Sequence, residues 1–195
     1  EIYMGDWSSD VCSSDLWNDA DETPAVAIDT QAMLASGREQ AFALLPTLHA
    51  ALSLPDAMDA VRAAMCHLRP QGRSNHVRAQ ITAAISVFAA TWNRVRQHQA
   101  PVAPRMDLSH AADYLCMAHG RLPSAEQAAT LNAYFVTLAE HDLMASTFVA
   151  RVIASTNADA LSSVVGALGA LKGSAHGGAI APVLEMIREI GRAHV

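Results

Sequence analysis

Two histidines stand in settings where an imidazole could do chemistry. His176 lies in a run of small residues, Gly173-Ser174-Ala175-His176-Gly177-Gly178-Ala179, and His141 lies 35 positions earlier, in AEHDLMASTF. Small residues around a loop histidine let a ligand approach the backbone closely. An imidazole N–H held in a dry site is an oriented donor to charge that develops during a reaction. Taken alone, a loop histidine is usually a solvated surface group, and a histidine in the last turn of a helix usually serves the free carbonyls there. His49, His67, His76, His98, His110 and His119 show no metal-ligand spacing such as HExxH, and no metal site is expected. Ser146 and Thr147 have no His/Asp arrangement that marks either as a nucleophile and read as helix N-cap residues.

The elements that must position these residues are all helical. Aromatic residues are only 5% of the chain, and the β-branched residues do not alternate with a period of two. A helix is expected from an N-cap at Ser74 or Asn75, with Val77, Ile81, Ala84, Phe88, Trp92 and Val95 on one face, ending before Pro101. The stretch 101–104, PVAP, reads as a linker, and Asp107 as the cap of a helix that carries Leu108, Ala111, Leu115 and Ala118 and closes at Gly120. Ser124 and Gln127 form a capping-box pattern, followed by Leu131, Tyr134, Phe135 and Leu138, so that this helix delivers His141 at its end. Helices over about 145–156 and 160–172 are rich in small residues. Gly166 and Gly169, three apart, predict close approach of another helix, because glycine inside a helix costs about 1 kcal/mol relative to alanine. Lys172 and Gly173 suit a helix C-terminus, the lysine by its charge and the glycine by its tolerance of left-handed geometry. Pro182 suits the first turn of the next helix. Within 17–54, ALLPTLHAALSL reads as a short helix without a motif.

Over a long stretch the residues resemble the citrate synthase family. AEHDLMASTFVARVIAST is similar to the family's DHELNASTFAARVVAST, GALGALKGSAHGGAIAPVLEM to GALKGPLHGGANEAVLEM, and PDAMDAVRAAM, beginning at Pro55, to PMDALRTAVS. The resemblance implies the large helical domain of that all-α fold, cut off before the small domain. It implies that His176 is catalytic, polarising the thioester carbonyl of the co-substrate acetyl-CoA, and that His141 is substrate-binding, a ligand of oxaloacetate. The chemistry needs such a donor. The methyl protons of a thioester are too weakly acidic for a carboxylate base unless charge on the enolate oxygen is stabilised. It also implies a homodimer to which the small-residue helices contribute. Met144 stands where the family has asparagine, Ser174 where it has proline, and Ile180 where it again has asparagine. The pocket residues that do not occur in these 195 leave open 2-methylcitrate synthase, which uses propionyl-CoA, and Met144 and Ile180 keep open a non-catalytic scaffold or regulatory protein. No GxGHxxY-like segment occurs in the 195 residues, so this polypeptide by itself is expected to be inactive.

The two ends read differently. DWSSDVCSSDL, at 6–16, and EIGRAHV, at 189–195, can be written in codons whose GCTCTTCCGATCT and AGATCGGAAGAGC are reverse complements and resemble a sequencing-library adapter. Residues 1–16 and 189–195 are therefore expected to be artefact, with 17–188 derived from the protein. Setting the ends aside reduces the net charge from −6 to about −2, with no basic stripe, so nucleic acid is not an expected partner. Cys66 and Cys116 sit in apolar helical patterns and read as buried free thiols of a reducing compartment. No apolar run approaches the roughly 20 residues that span a bilayer. A cytoplasmic protein without membrane partners is the expectation.

Overall fold

The computed structural model describes residues 30–139 and 143–177, together with positions 186 and 189. His141, the loop beyond Gly177 up to Pro182, and both suspected adapter segments, apart from Glu189, lie outside the described residues. Every regular element among them is helical, as expected: α1 (Thr30–Ala43), a 3-10 turn (Leu45–Thr47), α2 (His49–Leu52), α3 (Ala57–Met65), α4 (Ser74–Arg96), α5 (His110–His119), α6 (Ala125–Ala139), α7 (Ala145–Ala154) and α8 (Ala160–Leu171). None of these helices is long and apolar enough to cross a membrane.

The core is built around α4. The sequence predicts one apolar face, yet Ala79, Ile81, Ala83, Ala84, Ser86, Val87, Phe88 and Ala90 are all buried. Small side chains on the second face let α1 lie against it. A Cβ on Gly37 would stand 2.9 Å from Ala83 Cβ and 3.1 Å from Gln80 Cα. Leu48, Leu52, Val61, Met65, Leu68 and Met117 complete the same cluster. One charged pair is sealed into it. Arg38 of α1 and Asp113 of α5 meet at 2.6 Å with both side chains fully buried, and Arg38 also donates to His110 Nδ1 at 3.2 Å.

Several helix boundaries differ from expectation by a residue or two, each for a local reason. The N-cap of α4 is Arg73, without a side-chain cap bond, while Asn75 is buried and accepts from Arg78. Ser109 caps α5, accepting from the Ala112 N–H, because the Asp107 carboxylate is paired with Arg105. Gly120 ends α5 at φ +71, as predicted, and its N–H donates to the Cys116 carbonyl. The Ser124–Gln127 capping box forms in both directions, at 3.1 and 3.0 Å. Pro46 divides the expected helix in 17–54, so a 3-10 turn and the single turn of α2 replace it. Cys116 is buried, but Cys66 is exposed because it stands just past the last residue of α3.

Downstream of α5 the packing thins. α6 rests on α5 through Phe135, whose ring meets His110 and Tyr114 with centroids 5.9 and 6.4 Å away. Tyr134 and Leu138, expected on the inward stripe, are exposed. α7 and α8 form an antiparallel pair joined through Asn157, at φ +61. Gly166 meets the Ile153 side chain of α7, and Gly169 faces Arg62 of α3 at 3.3 Å. The close approach predicted from the two glycines is thus made at Gly166, within the chain, while Gly169 faces only the end of an arginine side chain.

Candidate functional site

His176 follows α8 in a tight hook. Lys172 is the C-cap of α8 in right-handed geometry, Gly173 N–H donates to the Ala170 carbonyl at 3.1 Å, and His176 N–H donates to the Gly173 carbonyl at 2.9 Å. Gly173 is therefore not the left-handed residue expected after the helix. Its usefulness is lateral: a Cβ there would stand 3.2 Å from the Ala170 oxygen. At Gly177 the demand is stronger, because a Cβ would stand 2.6 Å from the Leu171 oxygen. The hook folds back on the end of its own helix, and only glycine fits.

The ring of this half-buried histidine is fixed by a residue 30 positions earlier. Ser146 Oγ and His176 Nε2 are 2.9 Å apart. Reading Ser146 as an N-cap was wrong. The N-cap of α7 is Met144, with extended backbone and no side-chain cap bond, which puts Ser146 one turn position further on, facing the hook. Either ring tautomer satisfies this contact; in the one where the serine hydroxyl donates to Nε2, the imidazole hydrogen is on Nδ1 and that nitrogen is left a donor. The α7/α8 pairing supplied the signal that sequence spacing alone did not. Two antiparallel helices of 10 and 12 residues joined by a short turn must bring the start of the first beside the end of the second.

The base of the hook is held by charge. Lys172 Nζ donates to Asp59 Oδ2 at 2.5 Å and lies 3.7 Å from Asp56 Oδ1, both at the start of α3. Bonding to Asp59 raises the lysine's pKa, and the Asp59 N–H that caps onto Asp56 lowers that carboxyl's pKa. Among the described residues, no group of three or more His, Cys, Asp or Glu side chains could hold a metal ion. A groove of about 560 Å³ opens between α5 and α6, lined in part by His119, Arg121, Glu126 and Tyr134; neither Ser146 nor His176 lines it.

The scaffold among the described residues is all-α, with Ser146 and His176 brought together at one end of the α7/α8 pair. The model "Citrate synthase, C-terminal domain" matches residues 10–195, and the chain belongs to the citrate synthase family, a family of acyltransferases. It is 35% identical to the citrate synthase of Mycolicibacterium smegmatis, over 91% of this chain and 50% of that protein. To the 2-methylcitrate synthase of Mycobacterium tuberculosis it is 36% identical, over 71% of this chain and 38% of that one. The crystal structure of citrate synthase from Thermotoga maritima superposes with a TM-score of 0.72 at 31% identity, covering 92% of this chain and 49% of that chain. The chain spans between 29% and 50% of the length of curated relatives such as these.

Proposed function

We propose that the protein to which this chain belongs condenses acetyl-CoA with oxaloacetate to a citryl thioester and hydrolyses it with water to citrate and coenzyme A, at the entry to the tricarboxylic acid cycle. The observation that carries this reading is the Ser146–His176 bond, which fixes the ring through Nε2 and leaves Nδ1 with no hydrogen-bond partner among the described residues. In the assigned role His176 donates from Nδ1 to the thioester carbonyl oxygen while an aspartate base, which by the family resemblance lies outside these 195 residues, takes a proton from the methyl carbon. The developing enolate charge then meets a donor already in place, which is where preorganisation acts. His141 is assigned to the oxygens of oxaloacetate. No bound cofactor is assigned, since the two substrates and water supply the reacting atoms. A homodimer in the cytoplasm completes the proposal. The Mycobacterium tuberculosis relative favours a second reading, in which propionyl-CoA replaces acetyl-CoA.

The test uses the enzyme expressed from the complete parent reading frame. Release of coenzyme A is followed with each acyl-CoA in the presence of oxaloacetate. Turnover is expected, with His176→Ala lowering kcat by about 100-fold or more, the loss typical of removing one oxyanion donor. The ratio of kcat/KM for acetyl-CoA and propionyl-CoA chooses between the two readings. No release with either, and no solvent exchange of the acyl α-protons, would sink both.

A further inference from the structure

We propose that Lys172 is a positioning residue for His176, holding the hook on α3 through the carboxylates of Asp59 and Asp56. The inference rests on the role of His176 given above. Lys172 and Asp59 are 113 positions apart and bonded at 2.5 Å, so the contact is a tertiary one. It falls where the path to the imidazole is shortest. From Lys172 the chain reaches His176 in four residues, braced by the Gly173 N–H bond to the Ala170 carbonyl and the His176 N–H bond to the Gly173 carbonyl, and the ring itself is held by Ser146. The fold-back of Gly177 on Leu171 leaves the hook little slack. A shift of α8 relative to α3 therefore passes to His176 within four residues.

Position rather than stability is the expected effect. The lysine and aspartate side chains are 38% and 32% exposed, and exposed ion pairs contribute little to global stability. Displacing a donor by a fraction of an ångström, by contrast, is felt in the rate. Arg62, beside Asp59 at 3.1 Å, supplies a competing cation, so losing Lys172 leaves the carboxylate a different partner rather than none.

The experiment uses the complete enzyme with Lys172→Met, Lys172→Arg, Asp59→Asn and the Met/Asn double variant. Two quantities are read: kcat against KM, and the ring ¹⁵N shifts of His176, assigned with His176→Asn. Lys172→Met and Asp59→Asn are each expected to lower kcat about tenfold with KM within about twofold, following the sensitivity of rate to small misplacement. The double variant should lose no more than either single variant, and Lys172→Arg should recover most of the rate. The His176 ring shifts should move in the two impaired singles and return in Lys172→Arg. If the unmutated enzyme releases no coenzyme A, the functional reading fails while the ring shifts still decide the positioning role. Unchanged kcat together with unchanged ring shifts in both singles overturns the proposal. So does a loss that appears in melting temperature alone.

Discussion

A serine and a histidine 30 positions apart make one unit here, and each without the other would be ordinary. Replacing Ser146 with alanine removes the group that orients the ring but leaves the donor itself. In the complete enzyme, Ser146→Ala is expected to lower kcat by about 10- to 100-fold with little change in KM, a loss typical of a small misplacement. Steady-state coenzyme A release at saturating oxaloacetate checks it. His176 was legible because its loop carries the family's pattern through Gly173, Gly177 and Gly178. Ser146 was not, because a serine two residues into a helix looks like a capping residue until the partner helix is known. The same ambiguity hid the lysine's role: Lys172 reads as a charge near a helix C-terminus, and its contact with α3 has no local signature.

Packing between helices decides what glycine is for at each position. On Gly37 a Cβ would meet the backbone of α4, where an overpacked contact costs about 1–3 kcal/mol. The gain in helix propensity is about 1 kcal/mol, so Gly37→Ala is expected to be destabilising on balance. At Gly169 the neighbour is the far end of the Arg62 side chain, 3.3 Å away, and Gly169→Ala should be neutral or stabilising. Thermal melts of the two variants, which differ only in what the new methyl meets, check the pair. The seams also carry a pH dependence. His110, between α1 and α6, has its pKa lowered to about 4 by burial and by the Arg38 charge. Its folded value lies below its unfolded value of 6.5, so the stability it contributes is complete above about pH 6.5 and is lost as pH falls towards 4. The shift corresponds to about 3 kcal/mol at most. Burial raises the Asp113 carboxyl's pKa, which works in the opposite sense and blunts the loss. Urea midpoints between pH 7 and 4 should fall, and His110→Gln, which keeps an acceptor for Arg38, should flatten that slope. The capping box and Gly120 were legible in sequence because both ends of each motif are local. The second buried face of α4 was not, since alanines there say only that something may come close.

For the chain as a whole, burial is unevenly distributed. The buried residues of the helices lie in α1–α5 and, in two cases, in α8, while α6 and α7 contain none among their described residues. Tyr134, Val136, Phe148 and Val152 of those two helices are at least half exposed. Exposed apolar surface of this kind favours association, so sedimentation velocity on the 195-residue chain should show mass rising with concentration. The family was legible because the resemblance runs through many segments. The unequal packing was not, because the apolar spacing of α6 predicts an inward face without saying what lies opposite. Amide exchange follows from the same inequality. Hydrogens of α4 can be released only when the core opens, whereas those of α6 and α7 need only local opening. Deuterium should therefore enter in two waves. Since Ser146 belongs to the early wave, the orientation of the His176 ring is expected to be lost to heat or denaturant well before the fold that carries it.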